Sequence, residues 1–317
     1  MESKSLTRRS ILKGAAAAAA LSMTRISAQT ASTGPAKYPI RLGGPVFDTY
    51  ESPEQWISIL KGLGYSAAYC PVKAHESDDV VKDYARAAKE ANIVIAEVGA
   101  WSNPISKDEK QRKAALDKCR KQLELADRIG ANCCVNISGS RGDQWAGPHR
   151  DNLTQETFDM IVEVTRSIID HVQPTRTYFT LEAMPWSYPD SPDAYVRLLK
   201  AIDRKRFAVH LDPMNFITSP RVYYRSGDMI RECFAKLGPH IRSCHAKDIQ
   251  LNSKVYTPQL TEVRPGLGEM DYTAFLTELS RAGDIPLMME HLPDNEEYQL
   301  AAKHIRSVGK SCGHTFL

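Results

Sequence analysis

The 317-residue sequence lacks a strong charge imbalance and a hydrophobic run long enough to span a bilayer. Its formal net charge is only +3, which gives no reason to expect binding to nucleic acid or to an acidic membrane surface. The longest apolar run, near the amino terminus, is far shorter than the ~20 residues that a membrane-spanning helix needs. The sequence therefore predicts neither a nucleic-acid partner nor a membrane span.

The cysteine pattern does not indicate a disulfide framework. The chain has seven cysteines, an odd number, and they show no repeated spacing. Cys70, Cys133, Cys134 and Cys244 lie in apolar runs, where a free cysteine behaves as a small hydrophobic residue. We therefore expect free thiols.

The first residues resemble a twin-arginine export signal. Arg8 and Arg9 precede an alanine-rich apolar run that ends near Met23, and small residues follow around Ala28. We interpret residues 1–28 as a signal peptide and residues 29–38 as a polar linker. The expected location is the periplasm, or another exported location that the twin-arginine route reaches.

After the linker, strand-like apolar segments alternate with amphipathic helix-like segments eight times. The first strand-like segment is IRLGGPV (40–46), and the last is IPLMMEHL (285–292). Eight such units, apolar enough for a sheet covered on both faces, predict a single α/β domain over residues 39–317, a closed (β/α)8 TIM barrel. The alternative, an open doubly wound sheet, would be expected to have a glycine-rich phosphate-binding loop after the first strand. The sequence there, GGPVFDTY, does not have that spacing.

Four consecutive strand-like segments end in side chains that can bind a metal. They are Glu182, Asp212, His245 and Glu290, from the fifth to the eighth segment. Active sites of such barrels lie where the strands end, so we expect these side chains to converge. Three carboxylates and one imidazole favour one divalent cation, with Mn²⁺ preferred and Mg²⁺, Co²⁺, Zn²⁺ or Fe²⁺ as alternatives.

Two further residues lie close to these strand ends. Glu97 is in the third strand-like segment, and His210 lies two residues before Asp212, on the same side of its strand. We expect Glu97 to form hydrogen bonds beneath the substrate. His210 is expected to support the ligands or to be a hydrogen-bonded core histidine, and not to bind the ion.

Several motifs resemble those of the sugar phosphate isomerase/epimerase family of xylose isomerase-like barrels, over nearly everything from Ile40 onward. They are EVGAWSNP, LEAMPW, HLDPMN, CHAKD, RPGLGEMDY and MMEHL. The resemblance implies that Glu182, Asp212, His245 and Glu290 bind one divalent metal. It also implies that Glu182 and Glu290 move protons on opposite faces of a sugar or keto-sugar, in an isomerisation or epimerisation through an enediolate.

The sequence departs from the ketose epimerases of that family. Asn215 stands where they have a histidine, and no arginine follows His245 closely; Lys247 and later Arg264 are the nearby basic residues. Other family members act on 3-keto-glycosides by elimination, so a lyase or hydratase is the alternative function. For that chemistry His149, after strand four, is an available base, although a solvated loop histidine would look the same.

Three tryptophans support a sugar substrate. Trp101, Trp145 and Trp186 follow strand ends, and tryptophan offers a flat apolar face and an N–H donor to a pyranose. With Asn215, Lys247 and Arg264 they form the predicted substrate site for a small-molecule sugar or keto-glycoside. A homo-oligomer or a partner subunit is compatible with this prediction.

Two further classes of protein can be built on the same barrel. A non-catalytic sugar-binding protein on the same barrel is less favoured, and it would bind sugar without proton exchange. An endonuclease-IV-like nuclease is disfavoured, because it would need several more histidine ligands and a basic groove.

Overall fold

The computed structural model of the protein describes residues 38–317. The predicted signal peptide and all but the last residue of the predicted linker lie outside the described residues. Export therefore stays a prediction.

Eight parallel strands close into a barrel, as predicted, so the alternative of an open doubly wound sheet is wrong. The last barrel strand pairs with both the first and the seventh, which closes the ring. The barrel strands are β1 (Arg41–Gly44), β2 (Ala67–Tyr69), β3 (Val94–Gly99), β4 (Cys133–Asn136), β5 (Phe179–Glu182), β6 (Phe207–Leu211), β7 (Ile241–Ala246) and β10 (Pro286–Met289).

Helices surround the barrel. They are α1 (Pro53–Gly62), α2 (Asp78–Glu90), α3 (Glu109–Ile129), α4 (Gln155–Val172), α5 (Pro192–Ile202), α6 (Pro220–Tyr223), α7 (Ser226–Leu237), α8 (Tyr272–Ala282) and α9 (Asn295–Ser311). Most begin at a capping side chain: Ser52, Ser77, Asp108, Thr154 and Ser191 each accept a backbone N–H from the first turn. None of the described helices is both long and apolar enough to cross a membrane.

The apolar core lies mainly between the strands and the helices, and a small second cluster of strand residues is separate from it. That second cluster consists of Ala67, Ala96 and Met288. Gly43 makes room for it, because a Cβ there would lie 2.7 Å from the Met288 sulfur. All seven cysteines lie in the described part of the chain and are free, which confirms that prediction.

A hairpin that the sequence did not predict follows β7. Its strands are β8 (Asp248–Leu251) and β9 (Leu260–Val263), which pair antiparallel. Asp248 holds the loop after the hairpin, since its buried carboxylate accepts N–H groups from Gly266, Gly268 and Met270 at 3.0–3.1 Å. A Cβ on Gly268 would lie 2.3 Å from Asp248 Oδ1, so glycine is required at this close approach.

The two ends of the described chain lie side by side at the start of β1. Ile40 forms a parallel bridge with Phe316. The N–H of Tyr38 donates to Ser280 O at 3.0 Å, and that of Leu317 donates to Ile40 O at 3.1 Å. These contacts are at the amino-terminal end of the barrel, opposite the strand ends that carry the predicted ligands.

Candidate functional site

The four predicted ligands converge at the carboxyl ends of four adjacent strands. Glu182 ends β5, His245 is the last residue but one of β7, and Asp212 and Glu290 directly follow β6 and β10. One ligand atom from each lies within 4.8 Å of the others. Asp212 and His245 are fully buried, and Glu290 is the most exposed, at 13% of its side chain. Carboxylates buried this deeply need a cationic partner.

One ring nitrogen of His245 faces three carboxylates. Nδ1 lies 2.8 Å from Glu290 Oε1, 3.0 Å from Glu182 Oε1 and 3.9 Å from Asp212 Oδ2. A single imidazole nitrogen carries at most one hydrogen, so it can donate to only one of them. The buried Glu290 Oε1 has no hydrogen bond of good geometry. This donor set fits a divalent cation better than it fits a hydrogen-bond network.

Glu97 holds His245 from below. Its Oε1 lies 3.1 Å from His245 Nε2, and its Oε2 lies 2.8 Å from His210 Nε2 and accepts a hydrogen bond from Ser243 Oγ at 2.8 Å. Burial alone would raise the pKa of Glu97, but His210 and His245 hold it well below its usual range. When His245 Nε2 carries the ring hydrogen, Nδ1 presents a lone pair to the ion. Glu97 and His210 therefore have the supporting positions expected for them.

Lys247 faces the same carboxylates from the cavity side. Its Nζ lies 2.9 Å from Asp212 Oδ2 and 3.5 Å from Glu182 Oε1, and it also contacts Glu290 Oε1. Burial lowers the pKa of Lys247, but Asp212, Glu182 and Glu290 together raise it well above its usual value. The side chain thus forms ion pairs with three predicted ligands, and at the same time lines the cavity.

The pKa values of Glu182 and Asp212 are shifted in opposite directions, although both carboxylates lie near Lys247 and His245. Burial raises the pKa of Glu182, but Lys247 and His245 lower it to about 2. For Asp212, burial has the largest effect, and Lys247 opposes it. Repulsion from Glu182 and Glu290 adds to the effect of burial, so that the pKa of Asp212 stands at about 7. The negative charge of Asp212 is therefore not fully compensated by the nearby cations, Lys247 and His245.

A cavity of about 960 Å³ opens above the ligands. Of the predicted substrate residues, five line it: Trp101, Trp145, Trp186, Asn215 and Lys247. Asn215 also supports the ligands, because its Nδ2 donates to Glu182 Oε1 and Asp212 Oδ2, each at 3.2 Å. It therefore has less freedom to bind substrate than the sequence suggested.

Two predicted site residues are not brought to the cavity, and neither is among the described residues that line it. Nδ1 of His149 accepts the N–H of Asp151 at 3.2 Å, within its own loop. Arg264 forms an ion pair with Glu297, with Nε 2.7 Å from Oε2, and so holds the loop to α9. The sequence placed both residues in loops on the correct face, but it could not give the direction of their side chains.

The sequence interpretation missed an ion pair on the cavity wall. His291 and Glu262 both line the cavity, with Nδ1 3.1 Å from Oε1. The hydrogen bond to Glu262 is the largest cause that raises the pKa of His291. His291 has a φ of 59°, a strained value for a residue other than glycine. The sequence feature that could have indicated a site residue is the position of His291 directly after Glu290.

Comparisons with known proteins agree with this architecture. A family model described as xylose isomerase-like TIM barrel matches residues 57–308. No curated protein matches the chain.

Three solved structures illustrate the structural similarity. A xylose isomerase-like TIM barrel protein from Mycobacterium smegmatis in complex with magnesium has a TM-score of 0.60 at 16% identity, over 88% of this chain and 98% of that chain. D-psicose 3-epimerase with D-tagatose, from Clostridium cellulolyticum, has a TM-score of 0.61 at 14% identity, over 87% and 100%. The 3-keto-D-glucoside 4-epimerase from E. coli has a TM-score of 0.57 at 13% identity, over 84% and 99%. At these identities the similarity establishes the fold.

Proposed function

The chain belongs to the xylose isomerase-like TIM barrel family, and we propose that it is a metal-dependent sugar isomerase or epimerase. The observation that carries the proposal is the convergence of three carboxylates on Nδ1 of His245, at the floor of a large cavity. A divalent cation held by Glu182, Asp212, His245 and Glu290, Mn²⁺ in the first instance, would supply positive charge where an enediolate develops negative charge. The epimerases among the similar structures agree with this proposal.

We infer that the two glutamates exchange protons with a sugar. Both line the cavity, and they come from strands β5 and β10, with β6 and β7 between them. In each, Oε1 makes the contacts to His245 and Lys247. We infer that Oε2 of each glutamate takes a proton from a carbon beside the carbonyl on one face, or returns one on the other, and Oε2 of Glu290 does so 3.6 Å from His291 Nε2.

Glu182→Gln and Glu290→Gln test this assignment, because glutamine keeps the shape and one ligating oxygen but removes the base. We expect kcat to fall roughly 10²–10⁴-fold in each, the usual contribution of a positioned acid–base group. Metal content, measured by elemental analysis, should fall much less. Solvent deuterium should stop entering the substrate carbon in at least one variant.

The matched control is Glu163→Gln, which changes an exposed acid on α4. It should leave turnover unchanged. Near-normal turnover in both cavity variants with metal bound would contradict the two-glutamate mechanism, and absence of stoichiometric metal from the metal-supplemented protein would contradict the proposal as a whole.

The alternative function, a 3-keto-glycoside lyase or hydratase, is disfavoured by the position of His149. His149, the candidate base of the lyase, forms a hydrogen bond within its own loop and does not line the cavity. His149→Ala should therefore barely change the rate. Release of aglycone from 3-keto-glycosides, followed by NMR, would favour the lyase instead.

We also propose that the protein is exported by the twin-arginine route, on the motif that contains Arg8 and Arg9. Residues 1–35 fused to a reporter should carry it across the membrane. The double substitution Arg8→Lys with Arg9→Lys should abolish transport. Normal export of that variant would refute the assignment.

A further inference from the structure

We propose that the sugar is uncharged and carries an apolar or aromatic aglycone, which binds at the cavity mouth against Trp145 and Trp186. This inference rests on the proposed function, because it assumes that the sugar itself lies over Glu182 and Glu290. It adds a second subsite to the same cavity and names the substrate as a glycoside whose sugar ring carries a keto group, because an ordinary glycoside has no carbonyl from which an enediolate could form.

The cavity has a polar floor and an apolar upper wall. The floor is formed by Glu182, Glu290 and Lys247, with the ring of Trp101 beside that of His245, at 6.4 Å between centroids. The apolar part of the lining consists of side chains with no charge to offer a sugar: Ile137, Met184, Pro185, Ile217, Ile249 and Leu260. Pockets for drug-sized ligands measure about 300–1,000 Å³, so a cavity of about 960 Å³ leaves most of its volume free around a single hexose.

Two exposed tryptophans stand at the mouth of this apolar part. Trp145 is 47% exposed and Trp186 is 43% exposed, which is unusual for side chains of this size. The indole N–H of Trp186 already donates to Ala146 O at 2.9 Å. Trp186 therefore offers a ligand its ring and not its N–H donor, which suits an apolar group better than a sugar hydroxyl.

A buried asparagine holds the two tryptophan loops together. Asn152, which is fully buried, donates from Nδ2 to Gly147 O and to Trp186 O, each at 3.0 Å. Its Oδ1 accepts the N–H of Arg141 at 2.9 Å. Asn152 thus joins the loop after β4 to the loop after β5, so the aromatic wall is formed before a ligand arrives, and binding needs little ordering.

The charges in the cavity argue against a phosphorylated sugar. Among the described residues that line it, Lys247 and His291 are the only basic ones. Lys247 is paired with Asp212 and Glu182, and His291 is paired with Glu262. A phosphate would therefore meet carboxylates without an unpaired basic side chain among the described lining residues to balance its charge.

The test compares glycosides that differ only in aglycone. Methyl and 4-nitrophenyl forms of β-glucosides, β-galactosides and their 3-keto derivatives are titrated into the Mn²⁺-supplemented protein by calorimetry. We expect the 4-nitrophenyl form of the bound sugar to bind about tenfold or more tightly than the methyl form. Trp145→Ala and Trp186→Ala should reduce this ratio towards one, because they should weaken binding of the 4-nitrophenyl form more than binding of the methyl form. Tyr224→Ala, an exposed aromatic that does not line the cavity, should not alter the ratio.

Other results would overturn the aglycone subsite. They are equal binding of methyl and 4-nitrophenyl forms, binding of none of these glycosides, or equal weakening of both forms by the tryptophan variants. A change of sedimentation in those variants without a change of ligand ranking would identify the mouth as an interface between copies of the chain, and would also overturn it. Metal content and deuterium exchange test the proposed function separately, because neither depends on the aglycone.

Discussion

At the scale of single residues, Glu97 connects the proposed metal ligands to the rest of the barrel interior. It contacts His245 and His210 with its two carboxylate oxygens, and it is not among the described residues that line the cavity. Glu97 can affect the reaction only indirectly, by orienting the ring of His245 and by determining which ring nitrogen carries the hydrogen. It is therefore a positioning residue.

We predict that Glu97→Gln lowers the affinity for Mn²⁺ by about 10–100-fold, the usual effect of losing such a supporting carboxylate. The reason is that the amide can present an N–H to Nε2 and so favour the wrong tautomer of His245. A competition titration against a fluorescent chelator measures the affinity. Ser243→Ala, which removes one hydrogen bond to the same carboxylate, is the control and should have a smaller effect. Unchanged metal affinity in Glu97→Gln would show that the barrel alone orients the imidazole.

At the scale of the elements, short carboxylate contacts fix the loops between them. Asp248 holds the loop after the hairpin, and Asp127, in α3, holds the start of the segment that leads into β5. The Asp127 Oδ1 accepts backbone N–H groups of Thr175, Arg176 and Thr177 at 2.6–3.0 Å. Partial burial alone would raise the pKa of Asp127, but these hydrogen bonds outweigh it and lower the pKa below its usual value.

We predict that Asp127→Asn lowers the free energy of unfolding at pH 7 by about 1 kcal/mol, a low value for hydrogen bonds to a charged group because the carboxylate is partly exposed. Since the folded-state pKa is lowered, this stabilisation is fully present above the unfolded-state pKa of about 3.9 and is lost as the pH falls through the folded-state value. Denaturant unfolding at pH 7 and pH 3 should show a difference between variant and wild type that shrinks in acid. Asp117→Asn, at an exposed position of the same helix, should change little at either pH. A difference that grows in acid would contradict the assignment.

At the scale of the whole molecule, the proposed metal site would link stability both to pH and to metal binding. The folded-state pKa of Asp212 is raised to about 7, above an unfolded value of about 3.9. Its contribution to stability is therefore fully present below about pH 4 and is lost as the pH rises through about 7 in the metal-free protein. A bound cation reverses the balance, because it favours the ionised carboxylate.

We predict opposite effects of Asp212→Asn with and without metal. In chelator at pH 8, the variant should be at least as stable as the wild type, because it no longer carries an uncompensated buried charge. With Mn²⁺ at a hundred times its dissociation constant, the wild type should gain about 2.7 kcal/mol and the variant much less. Thermal unfolding in the two buffers measures both effects, and His245→Ala should also lose the gain. An equal metal-induced gain in wild type and variants would exclude these residues as ligands.

Much of the barrel was predictable, because its regular pattern repeats along the chain. Parallel strands that end at one face bring Glu182, Asp212, His245 and Glu290 together whatever the helices between them contain. The hairpin after β7 was not predictable, because β8 and β9 pair only with each other, outside the repeating ring of barrel strands. The side chain of Arg264 is oriented by Glu297, which is distant in the sequence, and that of His149 by a hydrogen bond within its own loop. The spacing of residues along the sequence shows neither orientation.

The adjacency of residues 38–40 and 315–317, the two ends of the described part of the chain, has a consequence for engineering. Residues 38–40 and 315–317 are joined by backbone hydrogen bonds on the face away from the cavity. A short peptide linker could therefore connect Leu317 to Tyr38, and the chain could be opened at another exposed turn without breaking the ring of strands. A circularly permuted protein of this kind could also be anchored to a solid support through its base, with the cavity open to the solution.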